Sequence, residues 1–110
     1  MKINIQSIHF NADDTLIEFI QKKTEKLAHH FNQIITTEVY LKLEKADIQS
    51  KVVEIKLHIP GTSLFAKEQC TTFEEATDQA IESLIRQLDK HKQKLAEQIT
   101  LYKFLLLDFK

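Results

Sequence analysis

The chain reads as a single α+β domain of order β-α-β-β-β-α, a four-stranded sheet with two helices packed on one face. Three observations predict it. Three segments carry an apolar residue at every second position, two longer segments carry one at every third or fourth, and the only glycine and proline stand together as Pro60-Gly61, a turn leading into one further strand. A strand with one apolar face needs cover on one side only, so both helices serve the same face and the other stays open to water.

In chain order, Lys2 to Ile8 sets Ile3 and Ile5 against Asn4 and Gln6, which predicts the first strand. Asn11 or Asp13 can accept hydrogen bonds from free amides at a helix start. Leu16, Ile20, Leu27 and Phe31 then share one face with Ile17 and Ala28, which predicts a first helix from about Asp13 to Asn32. Val39, Leu41 and Leu43 alternate with Tyr40, Lys42 and Glu44. After a polar connection, Val53, Ile55, Leu57 and Ile59 alternate with Glu54, Lys56 and His58, and the two runs read as an antiparallel pair. Pro60-Gly61 turns the chain into a fourth strand over Ser63 to Glu68, because proline presets the first central dihedral and glycine accepts a positive one. Thr71 or Thr72 before Glu74 and Glu75 marks a capped, acidic helix start, and Phe73, Thr77, Ala80, Ile81, Leu84, Leu88 and Leu95 continue one seam to about Ala96. The open sheet face is expected to present Tyr40, Lys42, Lys56, His58, Phe65 and Lys67.

A chain of 110 residues with 43% hydrophobic and 28% charged content buries one modest core. Residues 1 to 98 are read as that domain and residues 99 to 110 as an apolar tail. The lone Cys70 cannot form an internal disulfide and has no partner at zinc-ligand spacing. Met1 to Gln6 alternates instead of forming the apolar block of a signal peptide, and no stretch approaches a membrane span in length, so a cytoplasmic protein is expected.

The net charge is −1, but position matters more than the sum because fields act over about 8–10 Å. At about 100° per residue, Arg86, Lys90 and Lys94 stack along one line, roughly 6 Å apart, beside the apolar seam of Leu84, Leu88, His91 and Leu95. Lys22, Lys26 and His30 repeat the arrangement on the first helix, with Lys23 between them and the core. Acidic residues take the opposite flanks: Glu18 and Glu25 on the first helix, Asp78, Glu82 and Asp89 on the second. Helix dipoles favour acidic starts and basic ends, and lysines coat any solvated face; the sideways segregation is required by neither. It suits a polyanion backbone, and the two helices are expected to offer their basic sides on a common outer surface.

Other chemistries find little support. His29 and His30 diverge by about 100° and cannot share an ion from the helix face. His91, beside the seam, reads as a packing residue, and Cys70 as a small strand-end hydrophobe. A single glycine cannot build a phosphate loop, and the adjacent carboxylates Asp13-Asp14 and Glu74-Glu75 are explained by capping. No catalytic residue, metal site, cofactor or small-molecule substrate is expected.

The residues Asn4-Ile5, Glu18-Phe19, Lys23, Lys26-Leu27, Phe31 and Leu41-Lys42-Leu43-Glu44-Lys45 resemble the short ribosome hibernation-promoting factors, relatives of ribosome-associated inhibitor A. The resemblance is strongest over Ile85-Arg86-Gln87-Leu88-Asp89-Lys90-His91-Lys92-Gln93-Lys94-Leu95, which is similar to the closing-helix signature of that family, and it covers roughly Met1 to Ala96. It implies a fold similar to double-stranded-RNA-binding domains, seated on the small ribosomal subunit between head and body, where messenger and transfer RNA would bind. It also implies an RNA-binding surface of Lys23, Lys26, Lys42, Lys45, Arg86, Lys90, Lys92 and Lys94; Lys22 joins it from the stripe geometry alone. The implied role is inhibition of translation while idle ribosomes are protected. Members often carry an Asp-x-Tyr where this chain has Thr72-Phe73-Glu74, which passes the core role to Phe73. A generic duplex-RNA module and a protein-interaction domain using the apolar tail are the competing readings. Three fates are open to that tail: extending the second helix, packing back on the core, or forming a self-association patch. Packing or disorder is expected, because short terminal segments are usually weakly tied.

Overall fold

A computed structural model describes residues 1–45 and 48–107. The elements follow the expected order: β1 Lys2–Ser7, α1 Asp14–His30, β2 Thr36–Leu43, β3 Lys51–Ile59, β4 Thr62–Cys70 and α2 Phe73–Leu107. The sheet order is β1-β2-β3-β4. β1 runs parallel to β2, with Ile5 opposite Val39, because α1 carries the chain back across the sheet before β2 begins. β2, β3 and β4 form an antiparallel meander. Gly61 takes φ +85° in the β3–β4 turn, the left-handed region that only a residue without a Cβ enters freely. β4 is longer at both ends than the run of Ser63 to Glu68 expected after the turn, since every residue from Thr62 to Cys70 has a partner on β3.

Local chemistry sets the helix starts. Asp13 is the cap of α1 and its carboxylate accepts from the Leu16 N–H at 2.8 Å. The Thr72 hydroxyl accepts from the Glu75 N–H at 3.1 Å, while the Thr71 hydroxyl donates to the Glu75 carboxylate at 2.9 Å. Phe73 is buried and stacks on Phe10 with ring centroids 5.3 Å apart, so it takes the core position before the second helix gathers its seam.

One core holds the layers together. Ile20 and Leu27 of α1, Val39 and Leu41 of β2, Ile55 and Leu57 of β3, and Leu84 and Leu88 of α2 are all fully buried in a single cluster. Ala76 and Ala80 give α2 a small-residue face toward that cluster. Buried Thr24 and Thr77 donate to the carbonyls of Ile20 and Phe73, so neither hydroxyl is stranded. Lys56, Phe65 and Lys67 are exposed on the uncovered sheet face, as the period-two pattern requires.

The second helix corrects the expected boundary. It does not stop near Ala96 but runs unbroken to Leu107, since the only glycine and proline lie in the β3–β4 turn and nothing downstream interrupts it. Nor does the tail pack back on the core. From Lys92 onward every described residue is exposed, and the straight rod stretches the molecule to 64 Å along its longest axis.

Candidate nucleic-acid interface

The interface is built on α2, whose orientation is pinned from below. Leu84 and Leu88 anchor it in the core, and the Gln87 side chain donates to the Phe65 carbonyl of β4 at 2.9 Å. His91 is half-buried with its ring edge-on to Phe31 at 5.7 Å, a packing role. With the Leu84–Leu88 line facing the core, helical rotation places Arg86 on the outer crest and turns Lys90 and Lys94 toward β4. There Lys90 and Lys94 share a shallow groove with Thr62, Leu64, Gln87 and His91. All three cations are exposed, and among the described residues none has a carboxylate within 4.0 Å.

The acidic flank of α2 meets α1. Phe10 stacks on Phe73 near the helix starts and Phe31 meets His91 further along, so the two helices run side by side in the same direction. In the seam between them the Lys23 ammonium pairs with Asp78 at 3.2 Å and lies 5.5 Å from the Phe19 ring centre. Lys22 and Lys26 are exposed on the outer side of α1. The basic side of one helix thus abuts the acidic side of the other, and the basic line of α2 looks away from α1. The two stripes therefore do not run on as one band: Lys23 is taken up by Asp78 and Lys90 and Lys94 turn toward β4, while Lys22, Lys26 and Arg86 share the outer side of the helix layer.

The remaining predicted residues separate further. Lys42 lies on the sheet face opposite the helices and pairs with Glu54 of β3. That hydrogen bond holds the Lys42 ammonium above its ordinary range, partial desolvation working against it. Lys45, just beyond β2, and Lys92 of α2 are exposed. Lys56 and Lys67 bring further cations to the open sheet around Phe65; period-two alternation placed them there, but no helix-style stripe marks them out.

Sequence spacing missed one network on that face. The His58 ring shares hydrogen bonds with Glu38 at 2.9 Å and with Ser63 at 3.2 Å. The connectivity is that of a hydrolase triad, but the residues come from three neighbouring strands and lie on an exposed sheet surface, where they act as cross-strand pairs. Register alone could have found it. Cys70 is buried, and burial, with Glu75 and Glu68 nearby, pushes its thiol above the ordinary range. No group of three or more His, Cys, Asp or Glu among the described residues is placed to hold a metal, and no helix there is long and apolar enough to cross a membrane.

A small β-α-β-β-β-α domain whose cationic helix face meets no carboxylate among the described residues has the charge layout expected of a polyanion-binding domain. Comparison with known proteins narrows this. Residues 3–96 match the family described as Sigma 54 modulation protein / S30EA ribosomal protein. The ribosome hibernation promoting factor of Escherichia coli K12 is 34% identical over 97 residues, covering 88% of this chain and 99% of the relative. That of Azotobacter vinelandii is 30% identical over 98 residues, covering 89% of each. A solved ribosomal subunit interface protein from Coxiella burnetii superposes with a TM-score of 0.77 at 20% identity, covering 84% of this chain and 99% of the other. The chain belongs to the S30EA family of ribosome hibernation promoting factors, which are not enzymes.

Proposed function

We propose that this protein binds the small ribosomal subunit in the cytoplasm, seats itself on ribosomal RNA in the messenger and transfer RNA channel between head and body, and holds idle ribosomes in an inactive, protected state. The observation that carries the reading is the exposed line of Arg86, Lys90 and Lys94, without a carboxylate partner among the described residues, on a chain whose net charge is −1. That line lies inside the stretch matched by the family.

The mechanism is occupancy. Lysine and arginine neutralise phosphates and release condensed counterions, while the rigid helix-on-sheet shape supplies fit without reading sequence. Lys90 and Lys94 offer two charges beside the β4 groove, Arg86 a third on the crest, and Lys22, Lys26, Lys45 and Lys92 add exposed positive charge. Lys23 and Lys42 enter with carboxylates already beside them, so an incoming phosphate must compete with Asp78 and Glu54. Their share is therefore smaller. Neutralising about five phosphates predicts that affinity falls by roughly two to two and a half orders of magnitude between 50 and 200 mM salt.

Co-sedimentation of the purified protein with small subunits, in the presence and absence of messenger and initiator transfer RNA, tests the reading. Binding that the two RNAs displace is expected. Binding of equal strength to free duplex RNA would favour a generic duplex-RNA module instead.

A further inference from the structure

The rod from Leu95 to Leu107 projects about 20 Å beyond the body and carries eight exposed large apolar side chains: Leu95, Ile99, Leu101, Tyr102, Phe104, Leu105, Leu106 and Leu107. A helix so apolar is ordinarily covered. Its first eleven residues hold only Glu97 and Lys103 as charges, and it lies at and beyond the end of the family match at residue 96.

We propose that a second copy of this chain covers it, the two rods pairing antiparallel about a two-fold axis. Leu95, Ile99, Tyr102 and Leu106 are spaced by four, three and four, the repeat of a knobs-into-holes seam, and they prolong the line of buried Leu84 and Leu88 and half-buried His91. The seam is self-complementary when reversed. Leu95 then faces Leu106 and Ile99 faces Tyr102, each contact occurring twice, as a two-fold interface demands.

The body supplies a floor for the tip of the partner. The Phe31–His91 contact places the base of the rod at the end of the molecule where β1 and β2 begin and β3 ends. At that end Met1 and Ile35 are 45% and 57% exposed, and the Lys2 N–H donates to the Ile35 carbonyl. A rod as long as the one it lies against reaches this floor. Four seam side chains plus these two, at about 100 Å² each, remove about 600 Å² per copy and about 1,200 Å² in all, the lower edge of a stable specific interface. Arg86 and Lys90 point away from the seam, so pairing leaves them open.

Sedimentation velocity on the full chain between about 1 and 100 µM tests the pairing. The expected result is a species of twice the single-chain mass that grows with concentration. The double variant Ile99→Glu with Tyr102→Glu is expected to stay single at every concentration, with unchanged circular dichroism and ribosome co-sedimentation. Copies carrying Ile99→Cys mixed with copies carrying Tyr102→Cys are expected to cross-link under mild oxidation far more than either alone. A single-chain mass throughout, predominant same-site cross-links, larger assemblies, or a monomer that floats with phosphatidylglycerol vesicles would each overturn the proposal.

Discussion

Two consecutive stretches of one helix behave oppositely. From Phe73 to Lys94, α2 buries one face against the sheet and exposes charge on the other; from Leu95 to Leu107, the same unbroken backbone exposes apolar residues to water. The first stretch obeys the usual division of an amphipathic helix, and the second inverts it. Helix propensity is indifferent to which side has company, so the backbone continues where the sheet beneath it ends. The lesson is that the first stretch anchors the helix in the chain's own core and leaves its charges outward, whereas the second finds no cover among the described residues of the single chain.

The largest effect that separates the stretches is on ribosome binding. Reversing Arg86, Lys90 and Lys94 to glutamate is expected to weaken co-sedimentation by about three orders of magnitude at low salt while circular dichroism is unchanged. Deleting residues 99 to 110 is expected to leave it within about twofold. Equal losses from both changes would erase the distinction.

Stability comes next. Leu84→Ala removes a fully buried side chain and is expected to cost about 2–5 kcal/mol by denaturant titration. Leu101→Ala in the exposed rod is expected to stay within about 0.5 kcal/mol at protein concentrations below pairing. Smaller again is the contrast between free and paired cations. Lys23→Ala, which opens a partly exposed pair with Asp78, is expected to cost less than about 1 kcal/mol of stability, and to weaken ribosome binding less than Lys90→Ala does.

The smallest effect is alkaline. Cys70 and Lys42 both hold their protons more tightly folded than their ordinary values of 9.0 and 10.5. Below 9.0 both contributions are complete, and stability is expected to decline as the pH climbs past 9.0 and then 10.5, because the unfolded chain releases those protons first. Thermal melts at pH 8 and pH 11 measure it, with a parallel expectation that native Cys70 resists alkylation at pH 8. A Cys70→Ser variant with an identical alkaline decline would remove the thiol from the account.

Much of this architecture was legible in advance. Period-two runs located the first three strands, Pro60-Gly61 located the tight hairpin and the fourth strand after it, and Leu84, Leu88 and His91 marked the core-facing line of α2, all by rules that act within a few neighbouring residues. The cationic line of Arg86, Lys90 and Lys94 was legible for the same reason, since it is a spacing on one helix.

Partnership between elements was not. That α1 lies parallel to α2, so that the basic flank of one meets the acidic flank of the other, follows from the crossover between β1 and β2 and from packing on a shared core. Spacing along a chain fixes angles about one axis but says nothing of which axis lies beside it, so Lys23 and Lys42 found Asp78 and Glu54 only in three dimensions. The apolar residues after Leu95 likewise called for cover, and only the structure showed that the chain's own core does not give it. Local preferences are settled residue by residue, whereas cover, pairing and exposure are properties of surfaces that come together only once the whole chain is folded.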